Sequence, residues 1–244
     1  MHRAVLRSSS PALENISFSI KRGQALGIIG GTGSGKSTIV KLLAGMYLPT
    51  KGRILFKGAD IKELNPDIFH AQTGFAFQKA QLFSGTIYDN IKLGRDISRE
   101  DIQRAAQDAQ AEEFILNKEQ GYASQLEQGG RNLSGGQKQR LNIARAIAGN
   151  PELVILDDSS SALDYATDLK MRRAVLSRSD RAYIVISQRP SAIKDAQQII
   201  VLDNGNLIGA GSHEQLICHC PVYAEICRSQ GISVQPENKE GENA

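Results

Sequence analysis

The chain has 244 residues, 41% of them apolar and 23% charged, with 29 basic and 26 acidic residues for a net charge of +3. That is an ordinary globular composition, long enough for one large domain or a domain with an insertion, and too balanced in charge to point to nucleic acid. No apolar run approaches the roughly 18 residues that span a bilayer, and the start, MHRAVLRSSSPALENISF, lacks the apolar core of a signal peptide; the chain is expected to be soluble and cytosolic.

Taken in order, ISFSI (16–20) alternates like a strand, and QALGIIG (24–30) is a second strand that runs into a glycine-rich loop. KSTIVKLLAG (36–45) reads as a helix stopped by Gly45. GRILFKG (52–58) and TGFAFQ (73–78) read as further strands. From about Ile87 to Ala148 the pattern is helical, and SREDIQRAAQDAQAEEFI (98–115) opens on a Ser-x-x-Asp capping signal. LVILD (153–157), AYIVIS (182–187) and QIIVLD (198–203) are apolar runs of the kind that form buried parallel strands, with a helix starting near Asp164. Asn204-Gly205 predicts a hairpin turn. Residues 213–230 read as a terminal helical region that Pro221 interrupts or restarts, and residues 231–244 as a disordered tail. Strands alternating with helices, with one helical block between them, predict an α/β core carrying an inserted helical subdomain at about 86–148.

The three cysteines, Cys218, Cys220 and Cys227, give no disulfide framework. With His213 and His219 they match none of the common zinc spacings.

Chemistry concentrates in three stretches. GGTGSGKST (30–38) has the spacing G-x-x-x-x-G-K-[ST] between a strand and a helix. Glycines 30, 31, 33 and 35, with Thr32 and Ser34, let backbone N–H groups wrap a phosphate. Lys36 reaches the terminal phosphates, and Ser37 and Thr38 open the helix, with Ser37 a ligand for Mg2+. Asp157, at the end of LVILD, suits the acidic partner that holds Mg2+, although a strand-end carboxylate also caps helices. NLSGGQKQR (132–140) is a serine cap with two glycines before a helix; it reads equally as an anion site and as a plain helix start.

Together and in this order, GGTGSGKST, LSGGQKQR and VILDDSSSALD resemble the nucleotide-binding domain of an ATP-binding cassette (ABC) transporter, over about residues 12 to 230. The resemblance implies a P-loop NTPase core, mostly parallel, with an antiparallel β subdomain and the helical insertion. It implies ATP and Mg2+ as ligands. By it, Gln78 matches the glutamine loop that contacts Mg2+ and the transmembrane part. Leu133, Ser134, Gly135, Gly136 and Gln137 match the signature that completes the site of a second cassette. Ser161, Ala162, Leu163 and Asp164 match the loop at the dimer seam. LFSGTIYDNI (82–91) is similar to exporter cassettes, whose transmembrane helices usually precede the cassette on one chain. Those helices are expected on another polypeptide or on a longer chain from which this one is truncated, and they would hold the cassette at the cytoplasmic face of the membrane. The family places an adenine-stacking aromatic upstream of the phosphate loop. Residues 1 to 17 contain none, and Phe18 reads as core.

Two positions depart from the family. Asp158 stands where a catalytic glutamate is expected, and Gln188 where a histidine is expected. Aspartate retracts its carboxylate by about 1.5 Å, and a misplacement near 1 Å costs on the order of 10²-fold. A neutral amide hydrogen-bonds phosphate but relays no proton. Both changes fall on one site while the rest of it is intact. That pattern resembles the slow, degenerate subunit of a heterodimeric exporter whose partner cassette carries the glutamate and histidine. A competent homodimeric ATPase with Asp158 as base is the main alternative; a soluble cassette without a transport role is another.

Overall fold

The computed structural model describes residues 11–232. Its strands are β1 (Ala25–Gly30), β2 (Leu55–Phe56), β3 (Ala59–Asp60), β4 (Thr73–Ala76), β5 (Gly85–Thr86), β6 (Gln125–Leu126), β7 (Leu153–Asp157), β8 (Ala182–Ile186), β9 (Gln198–Asp203) and β10 (Asn206–Gly211). Its α-helices are α1 (Lys36–Leu43), α2 (Pro66–Ala71), α3 (Ile87–Lys92), α4 (Arg99–Asp108), α5 (Glu112–Leu116), α6 (Gly135–Ile147), α7 (Tyr165–Leu176), α8 (His213–His219) and α9 (Pro221–Ser229). The chain forms two compact units. Among the described residues one holds 11–19, Leu26–Ile39 and 187–232; the other holds Ile20–Ala25 and Val40–Ile186.

In the first unit β9 runs parallel to β1, from Leu26 opposite Gln198 to Gly30 opposite Leu202. β10 returns antiparallel along β9 through the Asn204-Gly205 turn, where both residues take the left-handed backbone of a tight hairpin. Ile28, Ile29, Ile199, Ile200, Val201 and Leu202 are buried, as expected of apolar runs covered on both faces. At position 27 a side chain would collide with Ile193 at 2.8 Å, so glycine lets that residue pack directly on the strand. Pro221 restarts the terminal helix: α8 ends at His219, and α9 begins at the proline, where no N–H is needed.

In the second unit β7 lies between β4 and β8, parallel to both. Two small antiparallel pairs, β2 with β3 and β5 with β6, form separate two-stranded sheets. Ser98 caps α4 through the Asp101 N–H, and Asp164 caps α7 through the Thr167 N–H. Arg145, on α6, ties α3 to the loop ahead of it by donating to the carbonyls of Asn90 on the helix and Gln81 in the loop, each at 2.7 Å.

Four expectations change in detail. Residues 16–20 alternate between half-buried and exposed, but among the described residues they join no strand; just upstream, Glu14 makes an isolated bridge with Asn206. Alternation there reports a covered face, not a ladder. Phe18 is half-buried instead of core. GRILFKG is not one strand, because Lys57 and Gly58 turn left-handed and send β2 back as β3. The helix expected over 98–115 breaks into α4 and α5 at Gln110, which has a φ of 57°. The expected tail lies outside the described residues from 233 onward.

Candidate functional site

The phosphate loop belongs to the first unit. Gly30 ends β1, and a side chain there would lie 2.3 Å from the Leu202 carbonyl oxygen and 2.5 Å from Ser34 Oγ. Gly35 has a φ of 101°, and a Cβ on it would strike Leu13 at 2.5 Å. Those two glycines close the loop against the protein. At Gly31 and Gly33 a Cβ would meet nothing within 4 Å. The loop is therefore packed on one side and open on the other. Its helix starts at once, with Thr38 and Ile39 N–H groups donating to the Gly35 carbonyl at 2.9 and 3.0 Å.

Lys36 is 8% exposed. Its ammonium donates to the carbonyls of Gly30 and Gly31, each at 2.7 Å, and to Ser34 Oγ at 3.3 Å. An ammonium at the positive end of a helix is placed against the dipole. Carbonyl oxygens hold it there, and an anion on the open face would find both charges aimed at it. Ser37 is exposed at the first turn, with Thr32 exposed in the loop and Thr38 half-buried. Gln188, exposed, also belongs to the first unit.

The second unit holds Gln78, the signature residues, both aspartates and residues 161–164. Gln78 is exposed just beyond β4, and the preceding Phe77 carbonyl is held by the Asn142 amide at 2.9 Å. Asp157 and Asp158 are half-buried at the end of β7. Asp158 turns the chain with a φ of 42°, a backbone that aspartate tolerates better than most residues. Its N–H donates to the Ile186 carbonyl at 2.9 Å, and its carbonyl accepts from the Ser161 N–H at 3.2 Å. In this unit Gln78 and Asp157 carry amide and carboxylate oxygens, and in the first unit Ser37 carries a hydroxyl; each is a hard oxygen of the kind Mg2+ takes.

Ser134 forms a reciprocal capping box with Gln137 at the start of α6. Leu133 is buried behind it. Ser134, Gly135 and Gly136 share an open groove of about 520 Å3 with Ala162, Leu163, Asp164 and Arg140. The Thr167 backbone N–H holds the Asp164 carboxyl below its usual range. A Cβ on Gly136 would approach the Ala162 carbonyl at 3.2 Å, so the glycine lets α6 and the 161–164 segment lie close. The structure thus brings the signature and the 161–164 segment together, two stretches that spacing alone leaves unrelated.

Sequence reasoning missed Gln139 and Arg140. Gln139 is buried and spends both ends of its amide on the 161–162 backbone and side chain. Arg140 stacks on Phe114 at 4.7 Å and donates to the Gln110 carbonyl, and burial lowers its pKa. The readable signal was a run of long polar residues, 137–140, after a glycine-rich cap, on a helix whose later positions are mostly apolar.

A family model described as ABC transporter matches residues 13–161. An uncharacterized ABC transporter ATP-binding protein of Mycobacterium tuberculosis (strain ATCC 25618 / H37Rv) is 40% identical over 91% of this chain and 39% of its own length. The beta-(1-->2)glucan export ATP-binding/permease protein NdvA of Rhizobium etli is 38% identical over 94% of this chain and 40% of its own. The chain thus spans about two fifths of the length of the curated relatives it matches. A solved bacterial Atm1-family ABC exporter with ATP bound superposes with a TM-score of 0.88 at 37% identity, over 93% of this chain and 41% of that one. The fold is accordingly mixed α/β, with a mostly parallel sheet and small antiparallel pairs.

Proposed function

The chain belongs to the ABC transporter family, and from that premise we propose that it is the ATP-binding cassette of an exporter, with a slow site of its own. The observation that carries the reading is the phosphate loop: packed at Gly30 and Gly35, open at Gly31 and Gly33, with the Lys36 ammonium held at the helix start. The loop N–H groups and Lys36 bind the phosphates of ATP. Ser37, Gln78 and Asp157 are the residues that would hold Mg2+, which when bound neutralises phosphate charge. Asp158 takes a proton from water as its oxygen attacks the terminal phosphorus and the bond to the bridging oxygen breaks, releasing ADP and phosphate. Gln188 donates a hydrogen bond to the terminal phosphate.

Asp158 and Gln188 make this turnover slow. The groove at Ser134 to Gln137 with Ser161 to Asp164 faces a second cassette, whose own ATP it completes. That partner carries glutamate and histidine at the corresponding positions. Transmembrane domains anchor the pair at the cytoplasmic face of the membrane; among the described residues no helix is long and apolar enough to cross one.

The test is Mg-ATPase activity of wild type, Asp158→Glu and Asp158→Glu/Gln188→His. Near-background turnover in wild type, raised by about 10²-fold or more in the pair, is the expected result. Brisk turnover in wild type, abolished by Asp158→Asn, would make Asp158 a competent base and end the slow-site reading.

A further inference from the structure

The turn that carries Gln188 is held by its backbone. The Ser187 N–H donates to the Ile28 carbonyl at 3.0 Å. The Arg189 N–H donates to Ser187 Oγ at 3.1 Å. The Gln188 carbonyl accepts from Gln230 Nε2 at 2.8 Å, across 42 residues of sequence. The last two bonds grip one and the same peptide group, its oxygen from Gln230 and its N–H from Ser187. A peptide plane held at both ends fixes ψ of Gln188 and φ of Arg189. Ser187 and Pro190 are buried while Gln188 is exposed, so a fixed backbone presents this side chain outward.

Gln230 is itself placed by the end of α9. Its N–H and that of Ile232 both donate to the Cys227 carbonyl, at 3.1 and 3.0 Å, closing the helix. The helix is anchored by Tyr223 and Cys227, each 0% exposed, and the Tyr223 hydroxyl lies 2.6 Å from His213 Nδ1 on α8. The amide of Gln230, exposed at the cap of α9, therefore reaches the turn from a hydrogen-bonded helix end.

We propose that Gln230 is a positioning residue: it sets the Gln188 backbone and so aims the Gln188 side chain at the terminal phosphate of ATP. This rests on the reading above, in which Gln188 meets that phosphate. It makes the C-terminal helix part of the nucleotide site's support, so that a change at α9 alters how the site tells ATP from ADP.

The experiment is calorimetric titration of the full chain with Mg-ATP and with Mg-ADP, together with melting temperature. The variants are Gln230→Ala, Gln188→Ala, the double variant and Lys36→Ala. Gln230→Ala is expected to weaken ATP binding by about three- to tenfold and to leave ADP binding unchanged. In the Gln188→Ala background the same bond to the backbone carbonyl is lost, yet no further loss of ATP affinity is expected. Equal losses for ATP and ADP, the same loss in both backgrounds, or no loss at all would overturn the proposal and leave the wider reading standing. Gln188→Ala with full ATP affinity, beside a Lys36→Ala that cannot bind, would remove the phosphate role of Gln188 and the proposal with it. Full ATP affinity in Lys36→Ala would instead sink the nucleotide reading as a whole. Should Gln230→Ala melt too low to titrate, Gln230→Glu keeps the length while replacing the donor amide by an oxygen. It is expected to show the same ATP-selective loss, and unchanged ATP affinity there would overturn the proposal.

Discussion

Gln139 holds Ala162 and its neighbour by both ends of one amide: the Ala162 N–H donates to Oε1 at 2.7 Å, and Nε2 donates to Ser161 Oγ at 2.9 Å. Gln139 is 7% exposed on α6, whereas Ser161 and Ala162 are exposed. The helix that begins with the signature thus fixes the shape of the segment across the groove from it. A net bond is worth about 1 kcal/mol, more where a buried partner is orphaned. Gln139→Ala is expected to lower stability by about 1–3 kcal/mol in urea denaturation and to speed hydrogen exchange at Ala162. Gln139→Glu keeps the acceptor for Ala162 and should lose less. Unchanged exchange at Ala162 in the alanine variant would show that the segment keeps its shape without the amide.

Gly74 tests how closely α6 packs on the parallel ladder. A Cβ on Gly74 would fall on the Ala146 carbonyl oxygen, with the carbonyl carbon 2.8 Å away. Both obstacles are backbone, so neither can swing aside, and overpacking of this kind costs typically 1–3 kcal/mol or more. Gly74→Ala is expected to lower the melting temperature by several degrees, about 2–4 °C per kcal/mol at this chain length. Gly31→Ala, where a Cβ meets nothing, should leave it nearly unchanged. Equal melting of the two variants would contradict the packing argument.

His213 gives the terminal helices a pH dependence with a definite sign. Burial holds its pKa below the ordinary 6.5; Glu214 and Asp195 oppose that shift, and Lys194 adds to it. The folded state therefore binds its proton later than the unfolded state does as pH falls. Stability from the neutral ring is fully present above about pH 6.5 and is lost as pH drops through the lower folded value. Melting temperature is expected to decline below pH 6.5, and His213→Asn should flatten that part of the profile. A profile equally steep in the variant would assign the decline to other groups.

Much of this molecule is legible in its residues because the physics is local. LVILD and QIIVLD are strands with the bounds their apolar runs indicate, since an uninterrupted run needs cover on both faces. The Asn204-Gly205 hairpin and the caps at Ser98 and Asp164 follow from backbone preferences and short-range hydrogen bonds. The phosphate loop is readable from its spacing between a strand and a helix, and Gly33 and Gly35 take left-handed backbone, but the crowding that demands glycine at 30 and 35 comes also from distant Leu202 and Leu13.

What only the tertiary structure decided lies between residues distant in the chain. ISFSI has the alternation of a strand, yet among the described residues no backbone forms a ladder with it, and no local pattern states where a partner edge will be. Gln139 reads as a surface residue of a capped helix until the 161–162 segment is folded against it. Gln230 reads as the end of a terminal helix until the Gln188 carbonyl, 42 residues earlier, arrives at its amide. Sequence carries the preferences of each segment. Which polar groups meet across the fold depends on how the segments pack, because a hydrogen bond is decided at about 3 Å and the chain spacing between its partners says nothing at that scale.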